Sequence, residues 1–208
     1  GRCGAVKKNS SLILVSILVI NLLVSPAVMG AQNKELATVN IGLLYDGTNG
    51  INQGLKENIK DEVKNVLAPN YQINFINATG DNVKQLEQEL NQLLKNERVD
   101  VVITAGVLSS HLALQRKDFN KAVIAPYLLD QKFLNFEISE DQSGIENLNF
   151  ITCQKLLDRD IAAFKKLVDF KKLTFLMGQE HKKMLLAEQE DLKQELLEAN
   201  IEIKTVTP

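Results

Sequence analysis

The chain has 208 residues, 45% of them apolar, with a mean hydropathy of −0.08 and a formal net charge of −2. That length and apolar content suffice to bury a core in one or two domains and exclude a disordered polymer. The slight acidity argues against nucleic acid or an anionic membrane surface as partner, and two cysteines, Cys3 and Cys153, argue against a disulfide scaffold.

In residues 1–30, Lys7 and Lys8 precede an apolar run from Ser11 to Val24, followed by Ser25-Pro26-Ala27-Val28-Met29-Gly30. The order of basic, apolar and small-residue regions predicts an export signal cleaved after Gly30, with cleavage after Ala27 as the rival. The apolar run falls short of the roughly 20 residues of a spanning helix, which disfavours a retained anchor. Removing it strips three basic residues and no acidic one, leaving a more acidic chain whose single thiol is Cys153. With no basic cluster nearby, Cys153 reads as inert and half-buried.

Thr38 to Tyr45 is nearly continuous in apolar character, the pattern of a strand covered on both faces, and Asp46-Gly47-Thr48-Asn49-Gly50 breaks it. Leu55, Ile59, Val63, Val66 and Leu67 then share one helical face up to Pro69-Asn70. Tyr71, Ile73 and Phe75 alternate with polar residues, predicting an outer, half-covered strand. Asp81 is positioned to cap a helix carrying Val83, Leu86, Leu90, Leu93 and Leu94. Val99 to Thr104 reads as a third strand, Leu108 to Gln115 as the next helix, and Ala122 to Tyr127 as a fourth strand.

From Gln131 to Asn149 no period of 2 or 3.6 holds, predicting an irregular crossing between domains. A helix around Asp158 to Val168, a strand from Leu173 to Met177, a turn at Gly178, a long helix to about Ala199 and a strand from Ile201 to Val206 begin a second set. Leu185, Leu192 and Leu196 read as the core stripe of that long helix. The expected fold is α/β, a doubly wound parallel sheet in two lobes: residues 37–130, a crossing at 131–150, and the start of a second lobe at 151–208. Two strands cannot bury both faces of a parallel sheet, so the second lobe reads as incomplete and the chain as a fragment.

The spacings argue against most chemistry. His111 and His181 lie in no zinc-binding pattern, and neither dinucleotide nor P-loop glycine motifs occur. Gly106-Val107-Leu108-Ser109-Ser110-His111 lacks the second glycine of a nucleophile elbow. Ser109 and Ser110 have two readings, capping of their own helix or hydrogen bonding to a ligand at that helix N-terminus, where backbone N–H groups and the dipole favour a carboxylate. Asp46 is either an Asx-turn residue or an acceptor for a ligand amine or hydroxyl. Tyr127 is either a plug at the sheet edge or a stacking platform, and Asp130 follows it toward the same crevice.

Val39-Asn40-Ile41-Gly42-Leu43-Leu44-Tyr45-Asp46-Gly47, Val99 to Gly106, and Lys121 to Pro126 together resemble the type 1 periplasmic binding proteins, especially the ABC-transporter substrate-binding branch. The resemblance covers about residues 38–208 and implies two lobes closing on a small ligand across a hinge, with a membrane transporter as partner. Leu128 to Asn149 would be the first crossing and Leu173 to Gly178 the first strand of lobe two. The turn Ala105 to Ser110 matches no single ligand class. Gly144 to Phe150 also resembles a segment of domains found ahead of or beside TolC-type outer-membrane efflux channels; the alternative this implies is the periplasmic head domain of an outer-membrane efflux protein, with an efflux complex as partner.

These readings predict an exported periplasmic binding module with no catalysis and no cofactor. Its ligand would lie between Asp46, Gly47, Gly106, Ser109, Ser110, Tyr127 and Asp130 on one lobe and Gly178 and Gln179 on the other. A periplasmic enzyme on the same fold is the lesser alternative.

Overall fold

The apolar run beginning at Thr38 forms β1 (Ala37–Asp46), whose side chains divide by parity between two cores. Val39, Ile41, Leu43 and Tyr45 face one side of the sheet and Leu44 the other, the pattern of a strand sandwiched between helical layers. The computed structural model describes residues 36–47, 50–129, 144–151, 156–186 and 190–206. The export signal at 1–30, Thr48 and Asn49, Asp130, Cys153 and most of the 131–150 crossing lie outside the described residues.

After β1 come α1 (Gly50–Leu67), β2 (Tyr71–Gly80), α2 (Val83–Lys95), β3 (Val101–Thr104), α3 (Val107–Leu114) and β4 (Ala122–Ala125). A fifth strand, β5 (Leu148–Phe150), completes a parallel sheet in the order β2-β1-β3-β4-β5. The chain moves one way from β1 to β2 and the opposite way from β2 to β3. Crossovers of one hand therefore put α1 on one face and α2 and α3 on the other. Packing agrees: Val63 and Leu67 of α1 join Val39, Ile41 and Leu43, whereas Leu86, Leu90, Leu93 and Leu94 of α2 join Leu108, Leu112 and Leu114 of α3. The expected doubly wound sheet is present, with β2 at its edge as the alternation of Tyr71, Ile73 and Phe75 implies.

Two expectations for the first sheet need correction. Asn82, not Asp81, caps α2: its side-chain oxygen accepts from the Gln85 N–H at 3.0 Å, while the Gln85 side chain accepts from the Asp81 N–H at 2.8 Å. The two bonds form a reciprocal box one residue later than the charge of Asp81 suggests. Second, the aperiodic crossing ends in a strand. Asn147 adopts a left-handed backbone (φ 62°), donates through its side chain to the Phe119 carbonyl at 2.9 Å, and accepts from the Val123 N–H at 2.8 Å. This seats three residues beside β4, too few to show a period.

The second set comprises α4 (Leu156–Leu167), β6 (Leu173–Gly178), α5 (Gln179–Leu186), α6 (Glu190–Glu198) and β7 (Ile201–Val206). β6 and β7 pair in parallel as a separate two-stranded sheet. The expected long helix is described as two helical segments, α5 and α6, and helix begins directly after Gly178 with no intervening turn. Leu185 and Leu196 are buried with Leu186 and Ile201, as the stripe reading requires; the Leu192 side chain lies outside the described residues. Leu176 remains 68% exposed and Leu167 of α4 82% exposed.

Candidate functional site

In a doubly wound sheet the natural crevice lies where successive crossovers diverge, outside the carboxyl ends of the strands. Here that place is between β1 and β3, whose ends are Asp46-Gly47 and Ala105-Gly106. Gly47 takes the left-handed backbone (φ 65°) that the turn needs, and its N–H extends the β1–β2 ladder by donating to the Gly80 carbonyl at 2.8 Å.

Asp46 reaches across this gap. The Leu108 N–H donates to its Oδ2 at 2.7 Å and the Ser109 N–H to its Oδ1 at 3.0 Å, so its carboxylate caps the N-terminus of α3, satisfying two of the helix's open donors. Gly106, the N-cap residue, offers no side chain, and a Cβ there would overlap the Asp46 carboxylate. The glycine is thus the space that admits the acid. Neither sequence reading of Asp46 anticipates this role, because the contact spans 62 residues of chain.

The two serines turn inward. The Ser109 hydroxyl donates to the Gly106 carbonyl at 3.3 Å, and the Ser110 hydroxyl donates to the Thr104 carbonyl at 2.8 Å while accepting from the Tyr127 N–H at 3.4 Å. Both side chains are fully buried. Neither supplies the α3 cap, which comes from Asp46. Thr104, passed over as the end of an apolar strand, belongs to the same network: its hydroxyl lies 3.2 Å from that of Ser110 and donates to the Ile124 carbonyl at 3.3 Å. Ser110 thereby joins the end of β3, helix α3 and the segment after β4. Tyr127 packs half-buried against the α1-side core, where burial raises the pKa of its phenol.

His111, which fits neither a zinc pattern nor a nucleophile elbow in the sequence, is buried beside this network. Its ring is 5% exposed and its Nδ1 lies 2.8 Å from the Val107 carbonyl. A carbonyl only accepts, so Nδ1 carries the hydrogen and the neutral ring's Nε2 is an acceptor. That Nε2 is buried with no hydrogen-bond partner among the described residues. Burial lowers the pKa of the imidazole and nearby His181 adds to this, while the Val107 bond and the Asp46 charge oppose it.

Gly178 and Gln179 stand at the matching strand end of the second sheet, where β6 passes into α5. Helix α5 packs against α3. Met184 rests on the core around Leu112, Leu129 packs on the core of the second sheet, and the Val83 N–H donates to Glu180 at 3.4 Å. Asp46, Gly47, Gly106, Ser109 and Ser110 therefore share one strand-end cluster, Tyr127 joins it through Ser110, and Gly178 and Gln179 lie where β6 passes into the helix packed beside it. Asp130 lies outside the described residues.

No family model and no curated protein matches the chain. Among solved structures, a periplasmic binding protein type 1 from Bordetella pertussis Tohama I matches 82% of the chain with a TM-score of 0.54 at 13% identity. The chain has the type 1 periplasmic-binding-protein fold. A second match, an ABC domain in complex with L-Trp from Streptococcus pneumonia, covers 82% of the chain with a TM-score of 0.50 at 18% identity. The chain spans 50% of the length of the first structure and 57% of the second. Among the described residues no helix is long and apolar enough to cross a membrane.

Proposed function

We propose that this chain is the ligand-capturing part of an exported solute-binding protein that serves an ABC transporter. It would hold a small polar molecule at the strand ends of the two sheets without making or breaking bonds. The observation that carries the reading is the strand-end cluster at the switch point, with a carboxylate seated across it and helix α5 of the second sheet packed alongside. The fold it shares with the Bordetella protein supports the reading, as does the signal-like order of residues 1–30. Capture would follow closure of the two units across residues 131–150, the ligand favouring the closed form by touching both.

The seated carboxylate narrows the ligand. In an open helix N-terminus a ligand carboxylate would accept from the backbone N–H groups, but Asp46 already takes those of Leu108 and Ser109. A second anion there would meet like charge. We infer a ligand presenting hydrogen-bond donors, an amine, amide or hydroxyl, toward this end of α3. Any carboxylate it carries would then point away from α3. Isothermal titration of the protein against amines, neutral amino acids, sugars and dicarboxylates tests both levels. Saturable heat with donor-bearing compounds and none with dicarboxylates is the expected outcome. Preference for dicarboxylates would overturn the ligand class, and no saturable binding in any class would overturn ligand capture itself.

A further inference from the structure

We propose that His111 is a proton-operated latch on the seam between α3 and α5. The inference stands on the buried ring and on helix packing, so it does not depend on which ligand is captured. Helix α3 is covered by α2, by β1, β3 and β4, and by α5. Of these, α5 alone belongs to the second sheet, and it carries His181, whose charge opposes that of the ring. With Nδ1 committed to Val107, Nε2 is an acceptor held out of water and unanswered among the described residues. Such a group is tolerated while neutral but has nothing to receive a proton's charge.

The ionisable groups acting on the ring are Asp46 from the end of β1, which favours its charged form, and His181 from α5, which opposes it. Glu180, the acid of α5 nearest the seam, accepts from Lys183 and the Val83 N–H instead. No ionisable side chain of α2, β3 or β4 acts on the ring among the described residues. In the closed seam the imidazole titrates below 6.5; when the seam opens and water reaches Nε2, it returns toward that value. The open form thus binds the proton more readily. The seam is intact above about pH 6.5 and loosens as pH falls from there through the depressed pKa of the closed form.

Spin labels at Glu87→Cys on α2 and Lys182→Cys on α5, both exposed positions, would report the seam distance in the full chain with Cys3 and Cys153 replaced by Ser. A single short distance at pH 8 and a growing longer one toward pH 5 are expected. The longer distance should vanish in His111→Leu and in His111→Gln, two non-titrating variants of different shape that guard against a failure to fold in either. In His181→Gln the opened fraction at pH 5 should fall, because the closed ring then accepts a proton more easily. A distance distribution indifferent to pH, or a pH response that survives both His111 variants, overturns the latch.

Discussion

Asp46 does at residue scale what the turn after β1 seemed to leave to a ligand. A carboxylate in place of water at a helix N-terminus satisfies backbone donors and opposes the helix dipole at once. Asp46→Asn keeps the shape but loses the charge and one acceptor, and should lower stability by about 1 kcal/mol, while Asp46→Ala should cost about 2 kcal/mol by leaving both N–H groups bare. Gly106→Ala should cost about 1–3 kcal/mol, since the added methyl must displace the carboxylate or the helix. Urea unfolding with an unchanged slope reads all three. If Asp46→Ala and Gly106→Ala both left the midpoint in place, the carboxylate would not sit where the structure puts it. The same cap frees the two buried serines from that task. Their hydroxyls could have capped a helix, but with Asp46 doing so they serve the joint between β3 and α3 instead.

At the scale of elements, what a residue's near neighbours dictate was legible. The parity of β1, the stripe of α2 and the alternation of β2 each follow from burial on a known period and appear in the structure as read. The turns Asp46-Gly47 and Ala105-Gly106 were legible as strand ends because polar and glycine residues interrupt apolar runs there. What they touch was not, because the strand order that brings position 46 to position 108 is a property of the whole sheet. β5 escaped for another reason: Leu148, Asn149 and Phe150 owe their strand to β4 and to the left-handed Asn147, not to their own pattern. The cap of α2 gives a test of such local competition. Asn82→Ala should cost about 1 kcal/mol, and Asp81→Ala should stay within about 0.5 kcal/mol, since Asp81 contributes its backbone N–H rather than its carboxylate. Paired urea midpoints decide it, and the reverse order would restore the reading from charge.

Across the whole molecule the two sheets are unequally built. The first has five strands with helices on both faces, and its central strands β1 and β3 carry side chains removed from water on either side. Among the described residues the second has two strands, one core around Leu185, Leu186, Leu196 and Ile201, and Leu176 facing solvent. Local opening follows buried apolar contact, so backbone amides should rank in the same order. Hydrogen exchange should be slowest in β1 and β3 and faster by orders of magnitude in β6 and β7. Equal protection of the two sheets would mean that they unfold as one unit.

The meeting of Asp46 and Gly106 has an evolutionary consequence. Each position sets the terms for the other: the acid forbids a side chain at 106, and the missing side chain admits the acid. Once Asp46 is replaced by a small residue, the obstacle to alanine at 106 disappears, so the two substitutions should be epistatic, with the double variant less damaged than the sum of the singles. Descendants of this sequence would be free to change both positions together, and seldom one alone.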